Sequence, residues 1–311
     1  MKEMKRFFLI FVAFFCFLLA IVGCGEENSN NSNCCVKIVA TMFPHYDFAR
    51  QITKGVDSLS VKMLIPPGVD AHSFEPSASD IRDVKDADLF IYTGGENDVW
   101  VDRILKSSKK SPDSCLSFLN IFKDDRDVVS NSGGYKFKDE HVWTSLPNCI
   151  KIARYIANKI CEIDKKNSNK YIENLDIYLK ELSSLNSSFK DIVANRKRDV
   201  LVFGDRFPFL HFVNSYGLKY ITPYSGCSSN TEVGSLNVSN VVNVAKKEKV
   251  PVVLKLEQSS GALSKTIADE VGAKVKVFYS CHNCSKEDFK NGKTFLNFME
   301  ENVKTLKEAL C

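Results

Sequence analysis

The sequence predicts an α/β protein of two Rossmann-like lobes, each built on a parallel sheet, joined by one long rigid helix. Three observations carry that reading. Short β-branched runs alternate with amphipathic stretches, the runs fall into an early and a late set, and a long segment free of Pro and Gly lies between the sets.

The early set is Val36 to Ala40, Val61 to Ile65 and Leu89 to Tyr92, and the late set is Val200 to Phe203, Val252 to Leu256 and Lys274 to Tyr279. Each run ends in a polar turn before a helix-period stretch, the rhythm that demands parallel strands and crossover helices. Pro251 suits the first position of its strand, where no ladder donor is needed. From Asn167 to Lys197, apolar side chains recur at near-helical spacing at Tyr171, Leu175, Ile177, Leu179, Leu182, Leu185, Phe189 and Ile192, so one helix is expected over 167–197. About 30 residues at 1.5 Å each span about 45 Å, enough to run along two small lobes and tie them together. The lobes are thus placed at 36–166 and 198–311. The last helix, Thr294 to Leu310, carries Phe295, Phe298, Val303, Leu306 and Leu310 and is expected to pack back on a sheet.

The first residues read as a targeting segment. Lys2, Lys5 and Arg6 precede an apolar run from Phe7 to Val22, shorter than the roughly 20 residues a membrane span needs. Residues 1–23 are therefore expected to be a signal peptide. Residues 24–35 form a tether, of which Gly25 to Asn33 is Gly, Glu, Asn and Ser with no large apolar side chain. The net charge of +4 falls to +2 without the leader, a balance that argues against a nucleic-acid partner. Of 11 cysteines, nine remain once Cys16 and Cys24 are set aside, so at least one thiol stays unpaired within a monomer.

Ligands of open parallel sheets sit beyond the carboxyl ends of strands, and several chemistry-bearing residues occupy that place. His72 follows the second early strand through Pro66–Pro67–Gly68, Asp205 follows Val200 to Phe203, Glu257 ends Val252 to Leu256, and His282 follows the last strand. His141 stands just before a helix. With only five histidines in 311 residues, three at the ends of well-formed elements suggest imidazoles converging on one divalent ion. His45, at a helix start, and His211, among Phe209, Leu210, Phe212 and Val213, read as structural.

The wording of the chain from the tether onward resembles the zinc/manganese substrate-binding lipoproteins of bacterial ABC importers, in their zinc-type branch. In the first lobe the resemblance rests on Met42–Phe43–Pro44–His45–Tyr46–Asp47–Phe48, on Leu64–Ile65–Pro66–Pro67–Gly68 through His72–Ser73–Phe74–Glu75–Pro76–Ser77, on Ala87–Asp88–Leu89–Phe90 and on His141–Val142–Trp143. In the second it rests on Phe203–Gly204–Asp205–Arg206–Phe207–Pro208–Phe209, Gly226–Cys227–Ser228–Ser229, Glu257–Gln258–Ser259–Ser260 and Ser280–Cys281–His282–Asn283. Ile21–Val22–Gly23–Cys24 resembles a lipobox, which implies cleavage before Cys24 and a lipid anchor on its thiol. The resemblance implies an extracytoplasmic, monomeric receptor that binds Zn²⁺, and Mn²⁺ less well, between its lobes and feeds a membrane permease. It maps His72 and His141 to one lobe and Asp205 and His282 to the other, with Glu257 as the rival to Asp205 or as acceptor for a ligand histidine's N–H. It also suggests a Cys227–Cys281 disulfide. The family's His-rich loop is missing, since Phe122 to Glu140 holds acids but no histidine.

A reading of another class rests on Cys281–His282–Asn283–Cys284, a C-x-x-C after a strand, which would make the protein an extracytoplasmic thiol-disulfide oxidoreductase. Such a motif belongs early in a much smaller domain, and metal capture without catalysis is the expectation.

Overall fold

Side chains alternate faces along a strand, and β1 (Val36–Ala40) uses both: Val36, Ile38 and Ala40 enter one apolar cluster and Val39 another. The neighbouring β3 (Leu89–Tyr92) does the same, with Leu89 and Ile91 on the first side and Phe90 on the second. With β2 (Leu59–Met63) and β4 (Cys115–Ser117) they form a wholly parallel sheet in the order β2-β1-β3-β4. The computed structural model describes residues 36–95, 98–123, 129–132, 135–224, 227 and 235–311. The signal peptide read over 1–23 and the tether over 24–35, with Cys24, lie outside the described residues.

Three helices flank this sheet: α1 (Phe43–Ile52), α2 (Ala78–Asp86) and α3 (Val101–Ser108). Ser77 caps α2 by accepting from Asp80 N while the Asp80 carboxylate accepts from Ser77 N, a reciprocal pairing that satisfies two end donors. A short α4 (Phe118–Ile121) and a hairpin, β5 (Val129–Ser132) with β6 (Tyr135–Lys138), lead to α5 (Leu146–Ile163), whose start is capped by Ser145.

The linking helix is α6 (Ser168–Ala194), whose 27 residues span about 40 Å. Its buried stripe is Tyr171, Leu175, Tyr178, Leu179, Leu182, Leu185, Phe189 and Val193. Ile177, expected on that stripe, is 51% exposed, because Tyr178 one residue on takes the inward position. Asn174 also faces inward, where its amide donates to the carbonyls of Ile52 and Lys54 and so satisfies the end of α1.

The second half holds two parallel pairs, β7 (Val200–Val202) with β8 (Lys219–Ile221) and β9 (Val252–Lys255) with β10 (Lys274–Val277), joined by a parallel bridge between Phe203 and Leu254. Around them lie α7 (Leu210–Tyr216), α8 (Ser235–Lys247), α9 (Ala262–Val271), α10 (Lys286–Lys290) and α11 (Phe295–Leu310). The two-face pattern repeats: Leu201, Val252 and Leu254 join the cluster that holds Ile38 and Leu89, while Val200, Val202 and Val253 face an outer one.

One apolar core therefore runs from the first sheet through α6 to the second, and α11 closes it with Phe295, Phe298 and Leu306. Asp47 of α1 accepts from the Phe295 amide at 2.7 Å, and the Leu310 carbonyl accepts from Lys197 and Arg198, so the last helix is fastened to both lobes. No helix among the described residues is long and apolar enough to cross a membrane.

Candidate metal centre

The seam between the lobes is where the strand ends meet, and its first loop follows β2. Gly68 adopts φ +82°, a left-handed conformation that favours glycine. The chain then enters a 3₁₀ turn, Ala71–Ser73, capped by Asp70, whose Oδ1 accepts from His72 N at 3.0 Å. Across the seam the Cys284 carbonyl accepts from Gly68 N at 2.8 Å, and the Asn283 amide donates to the carbonyls of Pro66 and Val69. The loop carrying His72 is thus stitched to the loop carrying His282.

His141 begins a second 3₁₀ turn, Val142–Thr144, ahead of α5. Asp139 Oδ1 accepts both from the His141 backbone N–H at 3.0 Å and from His141 Nδ1 at 3.1 Å. That contact puts a proton on Nδ1 and turns Nε2 into the seam. His211 lies behind it, with Nε2 3.1 Å from the Asp139 carbonyl, and His45 is buried between the hydroxyls of Thr41 and Thr93, so neither joins the cluster.

His282 is held in a matching way from the second lobe. Glu257 accepts from Ser280 N, Ser280 Oγ and Cys281 N, all at 2.9 Å. With its proton given to Glu257, Ser280 Oγ accepts from His282 Nδ1 at 2.7 Å, again leaving Nε2 free to face the seam. Trp143 walls the site, its indole N–H donating to the Ser280 carbonyl at 2.9 Å and its ring lying edge-on to both His141 and His282.

His72, His141 and His282 come together, joined by Cys227: one ligand atom from each lies within 4.8 Å of the other three. The His141–His282 and His72–His282 ring centroids are 4.7 and 5.6 Å apart, and the Nε2 atoms of His141 and His282 are buried without a hydrogen-bond partner. A tetrahedral zinc site places its donor atoms about 3.5 Å from one another, so a small inward movement would complete the sphere. A cavity of about 190 Å³ beside the group is lined by Asp70, His72, Arg206, Cys227, Glu257 and His282, among others.

Burial lowers His72 to about 4, with the nearby His141 and Arg206 adding to the effect against Asp70, and it lowers His282 well below the usual imidazole range. Burial acts the same way on His141, but Asp139 and then Cys227 outweigh it and hold that imidazole well above its usual value. Asp139 is correspondingly lowered, the His141 and His211 charges overcoming its own burial.

The two carboxylates weighed as ligands both lie outside the cluster. Asp205 is buried as a brace within its own lobe: Oδ1 accepts from Arg206 N at 2.9 Å and Oδ2 from Leu256 N at 3.2 Å, which takes its carboxylate out of the cluster. Glu257 lies behind His282 rather than beside it. The Cys227–Cys281 disulfide is not formed: both thiols are free, with Cys227 Sγ 3.8 Å from His72 Nε2 and Cys281 packed in the shared core. Sequence reasoning missed Cys227 as a member of the cluster, although its Gly–Cys–Ser–Ser context was in view. Cys281 and Cys284 are both buried, and desolvation raises the first thiol well above its usual value and the second to about 12, which makes them poor nucleophiles.

Two lobes with parallel sheets, a linking helix and a seam lined by strand-end loops define the solute-binding class of fold. A family model described as the zinc-uptake complex component A, periplasmic (ZnuA), matches residues 38–309, and the chain belongs to that family. It is 28% identical over 323 residues to the high-affinity zinc uptake system protein ZnuA of Bacillus subtilis, covering 98% of each chain. It is 27% identical over 300 residues to the zinc-binding lipoprotein AdcA of Streptococcus pneumoniae, where 94% of this chain spans only 58% of the relative. The crystal structure of the Zn(II)-bound ZnuA-like domain of that AdcA superposes with a TM-score of 0.72 at 25% identity, covering 88% of this chain and 98% of the domain.

Proposed function

We propose that this protein is an extracytoplasmic receptor that captures one Zn²⁺ in the seam between its lobes and delivers it to the membrane permease of an ABC importer. The observation that carries the reading is the meeting of His72, His141 and His282, from three loops and both lobes, in one group whose ligand atoms lie within 4.8 Å. Imidazole nitrogens suit Zn²⁺ and are weaker partners for the oxygen-preferring Mn²⁺. Membership of a zinc-uptake family and the Zn(II)-bound relative support the choice of ion.

In this reading residues 36–166 and 198–311 are two jaws and 167–197 is the strut that limits their closure. A lipid on Cys24 holds the monomer at the membrane surface. The ion is cargo, and we assign the protein no catalysis.

Metal-stripped protein titrated with Zn²⁺ and Mn²⁺ in competition tests the reading. One Zn²⁺ per chain is expected, preferred over Mn²⁺ by more than about tenfold, and lost in His72→Ala and His282→Ala. Preference for Mn²⁺, or zinc binding indifferent to both substitutions, would contradict it.

A further inference from the structure

We propose that Cys227 is the fourth metal ligand, bound as a thiolate, and that this sulfur confines the receptor to borderline and soft divalent ions such as Zn²⁺ and Cd²⁺. The inference rests on the capture of a metal ion by the three histidines and names what completes their site.

The geometry is the first support. Cys227 Sγ stands 3.8 Å from His72 Nε2 and within 4.8 Å of the ligand nitrogens of His141 and His282. His141 is 4% exposed and its Nε2, like that of His282, has no hydrogen-bond partner, so two buried ring nitrogens face the same small space as the sulfur.

The commitments of the neighbouring carboxylates are the second. Asp205 accepts from two backbone N–H groups, Glu257 from Ser280 and Cys281, Asp139 from His141, and Asp70 from His72 N and the Arg206 guanidinium. Moving Asp205, Glu257 or Asp139 to the ion would strip buried donors of their acceptors, and moving Asp70 would uncap the turn of His72. Cys227 needs no such exchange.

Cys227 is itself tied across the seam. Arg206 donates from Nη1 to the Cys227 carbonyl at 3.3 Å and reaches Asp70 Oδ2 with Nη2 at 3.4 Å, while the other Asp70 oxygen caps the turn of His72. Cys227, Arg206, Asp70 and His72 form a chain that places the sulfur and one imidazole relative to each other. On binding, the S–H proton leaves to solvent and the sulfur lone pair forms the bond to the ion, giving a closed N₃S set with one negative charge. Asp139 and Glu257, behind His141 and His282, sit where they offset the remaining positive charge. Thiolate is a poor ligand for Mn²⁺ and a strong one for Zn²⁺.

The test uses Co²⁺ as the spectroscopic probe, added at one equivalent to the metal-stripped full chain and to Cys227→Ser. Thiolate ligation gives a sulfur-to-cobalt charge-transfer band in the near ultraviolet, and a four-coordinate site gives strong visible d–d bands. Both are expected in the unaltered chain. In Cys227→Ser the charge-transfer band should vanish, and Zn²⁺ should bind weaker by more than the roughly 10–100-fold that loss of a supporting partner costs. Visible bands without charge transfer in the unaltered chain, or a charge-transfer band that survives Cys227→Ser, would overturn the thiolate while leaving the three-histidine receptor intact. Failure to bind Co²⁺ and Zn²⁺ at all would overturn both readings.

Discussion

The two halves of the ligand group are held by different means. His141 and His282 each have Nδ1 tied to a fixed acceptor, Asp139 in one case and Ser280 backed by Glu257 in the other, and Trp143 packs on both. His72 and Cys227 are placed through their backbones, one by the Asp70 cap and the other by Arg206, with Cys227 Sγ 3.8 Å from His72 Nε2. The first pair is a preformed floor of matched tautomer and direction. The second is a loop-borne pair that joins one residue from each half of the chain, so drawing it onto an ion would engage both halves.

This contrast ranks the consequences of substitution. Removing a floor ligand is the most damaging: His282→Ala should reduce zinc affinity by more than about 1,000-fold, since it deletes a ligand outright and costs more than the 10–100-fold loss of a supporting partner, as competition against a chelator would measure. Loss of the supports behind the floor should cost about 10–100-fold, so Ser280→Ala and Asp139→Asn are expected to weaken binding without abolishing it. Substitutions that left affinity unchanged would mean that the Nδ1 contacts do not orient the rings.

Protonation gives a third and smaller effect. His72, at about 4, and His282, well below the usual range, are uncharged imidazoles near neutral pH, whereas His141 is raised by Asp139 and holds a second ring proton that the ion must displace. Affinity should therefore fall as pH drops from about 8 to 6, by at least about tenfold per unit for one proton displaced. Asp139→Asn should flatten that dependence, and calorimetry in buffers of different ionisation enthalpy would count the protons released. The smallest effect belongs to the loop-borne pair's tether. Asp70→Asn weakens a partly exposed ion pair with Arg206 worth up to about 1 kcal/mol, so a loss of about fivefold or less is expected in equilibrium titration.

The same division explains what the sequence discloses. His72, His141 and His282 stand out because imidazoles at strand and helix ends have no apolar face to fill, and the strand rhythm places the ends of both sheets toward one seam. The fourth member was illegible. An aspartate after a strand is also a common turn brace, and only in the folded chain do both Asp205 oxygens meet the backbone N–H groups of Arg206 and Leu256. Cys227 lies in a polar stretch of sequence with no periodic pattern to fix its direction, and its pairing with Cys281 rests on the family resemblance alone. The edge strand β8 escaped notice for a related reason: Lys219 and Tyr220 are exposed, so no apolar run marks it. On α6, adjacent Ile177 and Tyr178 both fit a helical stripe loosely, and burial of the tyrosine is decided by packing against Phe48 rather than by period.

Zinc-edge X-ray absorption on the protein loaded with one equivalent of Zn²⁺ probes the convergence of both lobes most directly. The expected spectrum is that of three imidazole nitrogens at about 2.0–2.1 Å and one sulfur at about 2.3 Å, with imidazole scattering reduced by His72→Ala and His282→Ala alike. A shell of oxygens, or a spectrum untouched by substitution in one of the lobes, would contradict a single ion shared across the seam.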